Sequence, residues 1–451
     1  MLASAKHDDE EIIMRQEQTG PSSKTIDGGI NYLAPEQHRM PGSILFAAEK
    51  LLVTRMMRAI GDPPVQIVLW NGQEISNHQG NPVARILIRD RGALLKLVSD
   101  PELCFGELYS TQRIEVQGNL LEFLEAVYRA WPKNSQGMTG KKLFSPFYGA
   151  RRNNLAGARR NIHHHYDIGN DFYKLWLDER MVYTCAYFPR MDSSLEDAQL
   201  AKLNHVCRKL RLQPGEKVLE AGCGWGALAL HMARHYGVTV TACNISGEQI
   251  AYARQRARAE GLDEKVEFVE DDYRNVRGEF DAFVSVGMLE HVGTDHYQEL
   301  GKVIDCRLKD GGRGLIHSIG LNYPRPMDAW AERHIFPGAC PPSLAQMMDI
   351  FEPYDFSVLD VENLRLHYAR TLEHWLQRYE DNVDRVTEMF DPEFARAWRL
   401  YLAGSLTAFK AGGMQLFQVT FSRAGHNQIP WTRQYLYEPQ SVSRGEDYGK
   451  L

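Results

Sequence analysis

KVLEAGCGWG, residues 217–226, places a short strand-like run directly before a glycine-rich turn, and helical spacing of apolar residues follows over 226–236. Gly222, Gly224 and Gly226 allow the backbone to turn tightly and to approach a ligand without Cβ clashes. A strand, a glycine turn and a helix in this order are typical of α/β folds that bind a nucleotide-like cofactor. The stretch therefore predicts a cofactor loop at the end of a buried strand.

Strand-like and helical segments continue to alternate after this loop. Helical spacing occupies 246–260, and a late strand-like run lies at 414–423. The other strand-like runs are 238–244, 265–271, 280–287 and 312–319. This alternation predicts an α/β fold with a doubly wound, mostly parallel sheet.

A smaller α/β domain is predicted upstream, because helical spacing at 46–60 and 120–131 flanks strand-like runs at 65–70 and 84–90. It carries no catalytic set, so we interpret it as a lipid-binding or docking domain. The predicted divisions are a mobile tail (1–35), the N-terminal domain (36–135), a basic linker (136–160), the catalytic domain (161–437) and a loose tail (438–451).

Composition limits the class of protein. The chain has 451 residues, of which 43% are hydrophobic and 24% charged, as in ordinary globular proteins. A net charge of −6 does not favour binding to nucleic acid. The seven cysteines have no CxxC spacing, which suggests free thiols in a reducing compartment. The N-terminus lacks a secretory signal and no long apolar run occurs, so we expect a cytoplasmic protein without a membrane span.

The predicted linker differs in charge from the chain as a whole. Residues 141–160 contain six basic residues and no Asp or Glu. Two interpretations stay open: a solvated hinge, or a patch that meets anionic phospholipid headgroups, where each Lys or Arg contributes about 1 kcal/mol. The second predicts peripheral attachment to the inner face of the membrane.

Residues around the glycine loop distinguish between cofactors. The spacing is G-x-G-x-G with an acidic residue two positions before the first glycine, and the second strand ends in Asn-Ile-Ser rather than in an acidic residue. This pattern looks like an S-adenosylmethionine site. The candidate cofactor-binding residues are Tyr183, Thr184, Glu220, Gly222, Gly224, Gly226, Asn244, Ile245, Ser246, Gln249, Asp272, Tyr273 and Arg274.

A wider set of strings resembles the cyclopropane-fatty-acyl-phospholipid synthases, within the mycolic-acid cyclopropane synthase superfamily of methyltransferases. The resemblance covers about 145–437 strongly and the N-terminal domain more loosely, and it implies a seven-stranded, Rossmann-like methyltransferase sheet. The strings, in chain order, are HYDIGNDFY (165–173), MVYTCAYF (181–188), LEAGCGWG (219–226), SVGMLEHVG (285–293), LIHSIG (315–320), FPGACPPS (336–343) and LFQVTFSR (416–423).

The resemblance implies a reaction in which an alkene in a phospholipid acyl chain attacks the methyl of S-adenosylmethionine. The resulting carbocation loses a proton and closes a cyclopropane ring, with bound bicarbonate as the base. Aromatic faces suit such a cation, and the candidates are Tyr183, Tyr187, Phe188 and Tyr323. The resemblance assigns the bicarbonate-binding, catalytic residues to Cys185, Glu290, His317, Ile319 and Tyr368, with Cys185 and Ile319 acting mainly through backbone groups.

Other features are discounted. The family can carry a cysteine where this chain has Ser405, so a cysteine nucleophile at that position is excluded. The tract His163–His165 has no second cluster with ligand spacing, and no metal is expected.

Two alternatives stay open beside cyclopropanation: a related methyltransferase that makes a methylated alkene or a methyl branch, and a lipid carrier with an inactive methyltransferase domain. The expected partners are a phospholipid bilayer with unsaturated chains and a second copy of the chain in a homodimer.

Overall fold

A four-stranded sheet and its helices form the N-terminal part of the chain. The computed structural model describes residues 44–131 and 168–437, and the predicted tails, the basic linker and His163–His165 lie outside the described residues. The N-terminal elements are α1 (Ile44–Ala59), β1 (Val65–Leu69), β2 (Glu74–Ile75), β3 (Ala84–Ile88), α2 (Arg91–Ser99), α3 (Pro101–Ser110), β4 (Ile114–Gln117) and α4 (Leu120–Ala130). The sheet order is β2-β1-β3-β4.

The larger sheet contains seven strands in the order β10-β11-β9-β8-β5-β6-β7. These strands are β5 (Lys217–Ala221), β6 (Thr239–Asn244), β7 (Val266–Glu270), β8 (Phe280–Val286), β9 (Leu308–Gly320), β10 (Phe356–Asn363) and β11 (Gln415–Arg423). Strand β11 is antiparallel to both of its neighbours, and the other pairings are parallel. The predicted fold class is therefore confirmed.

Helices connect these strands and cover the sheet. They are α5 (Asn170–Tyr173), α6 (Leu195–Leu210), α7 (Ala227–Tyr236), α8 (Gly247–Ala259), α9 (Tyr297–Arg307), α10 (Ala329–His334), α11 (Leu344–Met347), α12 (Arg365–Asp381), α13 (Val383–Met389) and α14 (Pro392–Lys410). Val218 and Leu219 are both buried, and their side chains point to opposite faces of β5. Each face of the sheet thus has its own apolar core.

The direction of chain travel reverses at the centre of the sheet. From β5 the chain proceeds outward to β6 and β7, and it then returns to β8 on the other side of β5. A crevice forms outside the carboxyl ends of strands at such a reversal, and α/β proteins bind ligands there. The fold therefore places the cofactor loop, which follows β5, at the expected ligand-binding edge.

The small sheet packs against the helices of the large one. Arg396 of α14 donates a 2.7 Å hydrogen bond to the carbonyl oxygen of Tyr109, and its guanidinium carbon lies 4.3 Å from the centre of that ring. A Cβ at Gly106 of α3 would lie 2.5 Å from ring atoms of Trp330. The predicted domain boundaries fall outside or at the limit of the described residues and stay predictions.

Two further findings bear on the sequence predictions. The seven cysteines are free thiols, as expected from their spacing. Within 44–131 and 168–437, no helix has the length and apolar character that a bilayer crossing demands, and no group of His, Cys, Asp and Glu side chains has the arrangement of a metal site.

Candidate active site

The glycine loop is shaped by close packing on both sides. Gly222 has a φ of 82°, its N–H donates to the carbonyl oxygen of Cys243 at 2.9 Å, and a Cβ there would lie 2.8 Å from Cβ of Met288. A Cβ at Gly226 would lie 2.6 Å from Phe268. At Gly224, by contrast, no heavy atom lies within 4 Å of the Cβ position. The loop is therefore held tightly at its ends and is open at its centre.

The residues predicted at the end of β6 form one hydrogen-bonded unit. Asn244 Nδ2 donates to Gln249 Oε1 at 2.6 Å, and Asn244 Oδ1 accepts the N–H of Ile245 at 2.9 Å. Ser246 caps α8 by accepting the N–H of Gln249. The amide side chains of Asn244 and Gln249 are thus fixed side by side at the carboxyl edge of the sheet. This is the edge at which the prediction puts the ribose of the cofactor.

The residues predicted at the end of β7 form a second unit. Asp272 accepts from Arg274 Nε and Nη2 at 2.8 and 2.9 Å, and the guanidinium carbon lies 5.4 Å from the ring centre of Tyr273. Tyr273 is buried. An aromatic face and a fixed ion pair therefore lie together at the end of β7, and their predicted role in enclosing adenine stays a prediction.

Tyr183 and Thr184 lie on an irregular segment that side chains hold in place. Asp178 accepts the N–H groups of Arg180 and Val182 at 3.1 and 2.8 Å. Gln199 of α6 donates to the carbonyl oxygens of Val182 and Thr184 at 3.3 and 2.9 Å. Side-chain hydrogen bonds therefore hold the segment, which is not part of a strand in the described residues.

Tyr183 also belongs to an aromatic cluster, defined here as Tyr173, Trp176, Tyr183, Trp375 and Trp398. Its ring centre lies 5.2–5.4 Å from those of Tyr173, Trp176 and Trp375, and its hydroxyl lies 2.8 Å from the hydroxyl of Tyr401. A set of ring faces of this size attracts a cation and excludes water.

The other three aromatic candidates lie elsewhere. Tyr187 stacks between His205 and His367, at centroid distances of 4.3 and 4.9 Å. Phe188 stacks on His374, and Tyr323 is 48% exposed. None of the three has a ring contact with the aromatic cluster in the described residues.

Glu290 is fixed by β9 through one of its two carboxylate oxygens. Oε1 accepts the backbone N–H of Ile319 at 2.6 Å, while Oε2 is buried and has no hydrogen-bond partner within the described ranges. Burial raises the pKa of Glu290 to about 7, against the opposing effect of backbone hydrogen bonds that include the one from Ile319. Glu290 can therefore hold or release a proton near neutral pH.

His317 lies two residues before Ile319, so both side chains are on one face of β9. It is fully buried, and its Nδ1 lies 3.0 Å from Gln418 Nε2 on β11. If the Gln418 amide donates, Nε2 carries the ring proton, and Nε2 has no partner in the part of the chain that the structure describes. Burial, together with the nearby Lys202 and Lys209 charges, holds the pKa of His317 well below its usual range. His317 is thus a neutral hydrogen-bond donor.

Cys185 and Tyr368 complete the predicted catalytic set. The Sγ of Cys185 lies 3.9 Å from the carbonyl oxygen of Leu364, which accepts the N–H of Tyr368 at 3.1 Å. The N–H of Leu364 in turn donates to Leu416, which pairs with Ile319 across β11 and β9. Burial raises the pKa of the Cys185 thiol far above its usual range. Backbone contacts of Leu364 and Leu416 therefore connect the segments that carry Cys185, Tyr368 and Ile319, while the Tyr368 ring packs on Trp375 and Phe409. Cys185 is a neutral thiol.

Sequence reasoning missed several side chains of this edge. Gln418, Gln199 and Lys202 are all buried and all hydrogen-bond to predicted site residues or their backbone. The missed signal is periodicity: Gln199 and Lys202 occupy the apolar face of α6 together with Leu195, Ala198 and Val206. A polar residue at a core position of an amphipathic helix indicates either a paired charge or a site.

Comparison with known proteins agrees with this geometry. Residues 153–419 match the family described as mycolic acid cyclopropane synthetase. The chain belongs to this family. A further match, over residues 52–136, is to a domain of unknown function, DUF7884.

Relatives of the family resemble the chain over most of its length. It is 37% identical to the cyclopropane-fatty-acyl-phospholipid synthase of Escherichia coli K12, over 78% of this chain and 91% of that protein. It is 34% identical to a probable fatty acid methyltransferase of Pseudomonas putida, over 83% and 96%. The crystal structure of mycolic acid cyclopropane synthase CmaA1 complexed with SAH and CTAB superposes with a TM-score of 0.56, at 29% identity, over 59% of this chain and 98% of that one.

Gly222→Val should abolish binding of S-adenosylmethionine, because the new side chain would meet Met288 and fill the turn. Isothermal titration calorimetry with S-adenosylhomocysteine measures the loss.

Gly215→Val is the matched control for that substitution. Gly215 has a similar φ of 86°, but a Cβ there meets nothing within 4 Å, and the residue lies before β5, at the opposite edge. The control should bind normally after correction for its folded fraction. Equal loss of binding in both variants would show that backbone strain, not filling of the cofactor turn, is responsible.

Proposed function

We propose that this protein transfers the methyl carbon of S-adenosylmethionine, as a methylene bridge, to cis double bonds in the acyl chains of membrane phospholipids, with bicarbonate as the general base. The main support for this proposal is a pair of buried polar atoms. Two buried polar atoms without partners in the described residues, Glu290 Oε2 and His317 Nε2, belong to the same edge of the sheet as the glycine loop. Buried polar atoms are costly when unpaired, so their retention indicates a bound polar group.

The proposed reaction forms two carbon–carbon bonds and releases S-adenosylhomocysteine and one proton. The π electrons of the alkene attack the methyl carbon, the carbon–sulfur bond breaks, and S-adenosylhomocysteine leaves with the bonding pair. The remaining carbocation loses one proton from the new methyl group, and that C–H pair closes the ring. Because an alkene is a weak nucleophile, the protein contributes mainly by positioning, water exclusion and cation stabilisation.

The residues present fit a small anion. Bicarbonate, when bound, supplies an oxygen base that accepts the proton. His317 Nε2–H offers a hydrogen bond to an anion, and Glu290 either holds the proton of the bound acid or fixes its orientation. The N–H of Ile319, which the resemblance assigns to the bicarbonate site, donates to Glu290 in this structure. Ile319 therefore contributes by orienting that carboxylate.

The aromatic cluster fits the organic cation. Its rings surround Tyr183, whose neighbour Thr184 is a predicted cofactor-site residue, and this proximity supports a role of the ring faces beside the methyl donor. Trp176 and Trp375 are fully buried, which keeps water from capturing the carbocation before the ring closes.

Glu290→Gln should reduce turnover about 100-fold or more, the size of a lost acid–base contribution, while the affinity for S-adenosylhomocysteine stays nearly unchanged. In the wild type, turnover should decrease as pH falls below about 7, because protonation removes the carboxylate. This inflection should be absent from the residual activity of Glu290→Gln. Radiolabelled methyl transfer measured across pH gives both results.

Glu352→Gln serves as the matched control, since Glu352 is exposed on the same domain. It should keep both turnover and pH profile. Full turnover by Glu290→Gln, or equal loss of cofactor affinity and turnover, would show that Glu290 does not serve the base site.

A second candidate function is supported by the similarity to the probable fatty acid methyltransferase of Pseudomonas putida. In this alternative the same carbocation either loses a proton from a chain carbon to give a methylated alkene, or accepts a hydride from a separate reductant to give a methyl branch. Glu290, His317 and Tyr368 favour ring closure, because a branching enzyme has less need of the base. Mass does not separate cyclopropane from methylated alkene, since both products gain one CH2.

Proton NMR of phospholipids extracted from cells with and without the expressed protein should show upfield cyclopropane protons. Separation of the extract by headgroup and chain identifies the preferred substrate. A mass gain without these protons would establish the methylated product instead. A protein that shows no calorimetric heat with S-adenosylmethionine and no product would be the lipid carrier.

We further propose peripheral attachment to the inner face of the cytoplasmic membrane through the basic residues of 141–160, in a homodimer with two attachment points. Replacing the six Lys and Arg residues by Gln should weaken sedimentation with phosphatidylglycerol vesicles at least tenfold, since each contributes about 1 kcal/mol. Binding to phosphatidylcholine vesicles should not change. Unaltered sedimentation with anionic vesicles would contradict the role of the linker.

A further inference from the structure

Two buried lysines lie two turns apart on α6 and differ in their partners. Lys209 Nζ lies 2.7 Å from Glu362 and 3.5 Å from Asp360, so its charge is neutralised. Lys202 is 2% exposed, and its Nζ donates to Thr184 Oγ1 at 2.9 Å. Within the described ranges, Lys202 forms no ion pair with a carboxylate. One helix therefore carries one compensated and one uncompensated buried ammonium.

An uncompensated buried charge is expensive, and proteins ordinarily neutralise or pair it. Burial lowers the pKa of Lys202 to about 8, while the surrounding Asp178, Cys185, Glu220 and Cys207 act in the opposite direction. Lys202 is therefore mainly an ammonium at pH 7. The chain keeps a positive charge at this position with acidic groups such as Asp178 nearby but, within the described ranges, with none at ion-pair distance.

The contacts of Thr184 direct this charge toward the cofactor loop. A Cβ at Gly287 would lie 2.8 Å from Thr184 Cγ2, so the methyl group of Thr184 rests on the glycine and its hydroxyl faces Lys202. Because Oγ1 accepts from Lys202, the hydroxyl hydrogen is available to another acceptor. Gly287 follows β8, and the next residue, Met288, packs against Gly222.

A buried carboxyl group lies near the end of β5, at the same edge. Glu220, on β5, is buried, and its Oε2 has no hydrogen-bond partner among the described residues. Burial raises its pKa to about 8, with the Lys202 charge opposing the rise. The two groups influence each other but are too far apart for an ion pair. A carboxyl group with this pKa is mainly protonated at pH 7, so Lys202 is the charged group of the two.

We propose that Lys202, acting through and beside the Thr184 hydroxyl, recognises the α-carboxylate of S-adenosylmethionine and so fixes the direction of its methyl group. Lys202 is a positioning residue, since it acts on the cofactor and touches neither the alkene nor the base. The inference rests on the proposed cofactor and adds to it the cationic residue that selects the amino-acid end.

The test compares two ligands on two proteins. S-adenosylhomocysteine carries the carboxylate, and its decarboxylated analogue keeps the amine and the adenosine. Wild-type protein should prefer S-adenosylhomocysteine by about 10- to 100-fold in calorimetric titration, the range of a charge-assisted hydrogen bond. In Lys202→Met this preference should disappear, because affinity for S-adenosylhomocysteine falls while that for the analogue stays within about threefold.

Lys209→Met is the matched control, since it removes a buried ammonium from the same face of α6 but one with its own counter-ion. It should keep the preference for the carboxylate. If Lys202→Met does not fold, Lys202→Gln removes the charge and keeps a donor toward Thr184, and it should lose the preference as well.

Three results would overturn the inference. The first is a Lys202 variant that weakens both ligands equally, which indicates that Lys202 only supports the 178–184 segment. The second is wild-type protein without preference for the carboxylate. The third is wild-type protein that binds neither ligand, and only this result also overturns the proposed function.

Discussion

The hydrogen bond from the Ile319 N–H to Glu290 Oε1 determines how the site is built. It ties the turn after β8 to the edge of β9, the strand that also carries His317. Because Oε1 accepts this hydrogen bond, Oε2 is held in one position, and it has no hydrogen-bond partner in the described structure. The two-residue period of β9 places His317 on the same face as Ile319, and Gln418 on β11 fixes that ring from behind. The Ile319 N–H thus orients the carboxyl group of Glu290 on the same edge of the sheet as the neutral donor His317.

Buried polar side chains lie at both edges of the large sheet. At the amino edge, Arg313 is surrounded by acceptors, which include both oxygens of Glu216 at 2.8 and 2.7 Å. At the carboxyl edge, atoms of Glu220, Glu290 and His317 have no partner within the described ranges. Unpaired groups reduce stability, and three of them beside the glycine loop support an edge that ligands complete.

The elements that could be predicted from the sequence are those whose apolar residues follow a clear pattern. The cofactor loop and six strands of the large sheet are visible in the sequence because buried parallel strands are continuous apolar runs. The edge strand β10 is not, since only its first residue, Phe356, is buried and polar residues follow. Likewise Lys202 could be recognised only from its packing: the sequence shows a lysine on an apolar helix face, and the structure shows that Lys209 is paired while Lys202 is not.

The same burial that shapes the edge also protects it from its own cofactor. A sulfonium methyl group reacts readily with a thiolate, and four buried cysteines lie in the part of the chain that carries the large sheet: Cys185, Cys207, Cys223 and Cys243. Burial raises the pKa of each thiol, to about 12 for Cys243, so all four stay protonated. Since the thiolate and not the thiol is the nucleophile, these residues do not compete for the methyl group. The apolar surroundings that let a weak nucleophile such as an alkene react therefore also suppress the stronger nucleophiles nearby.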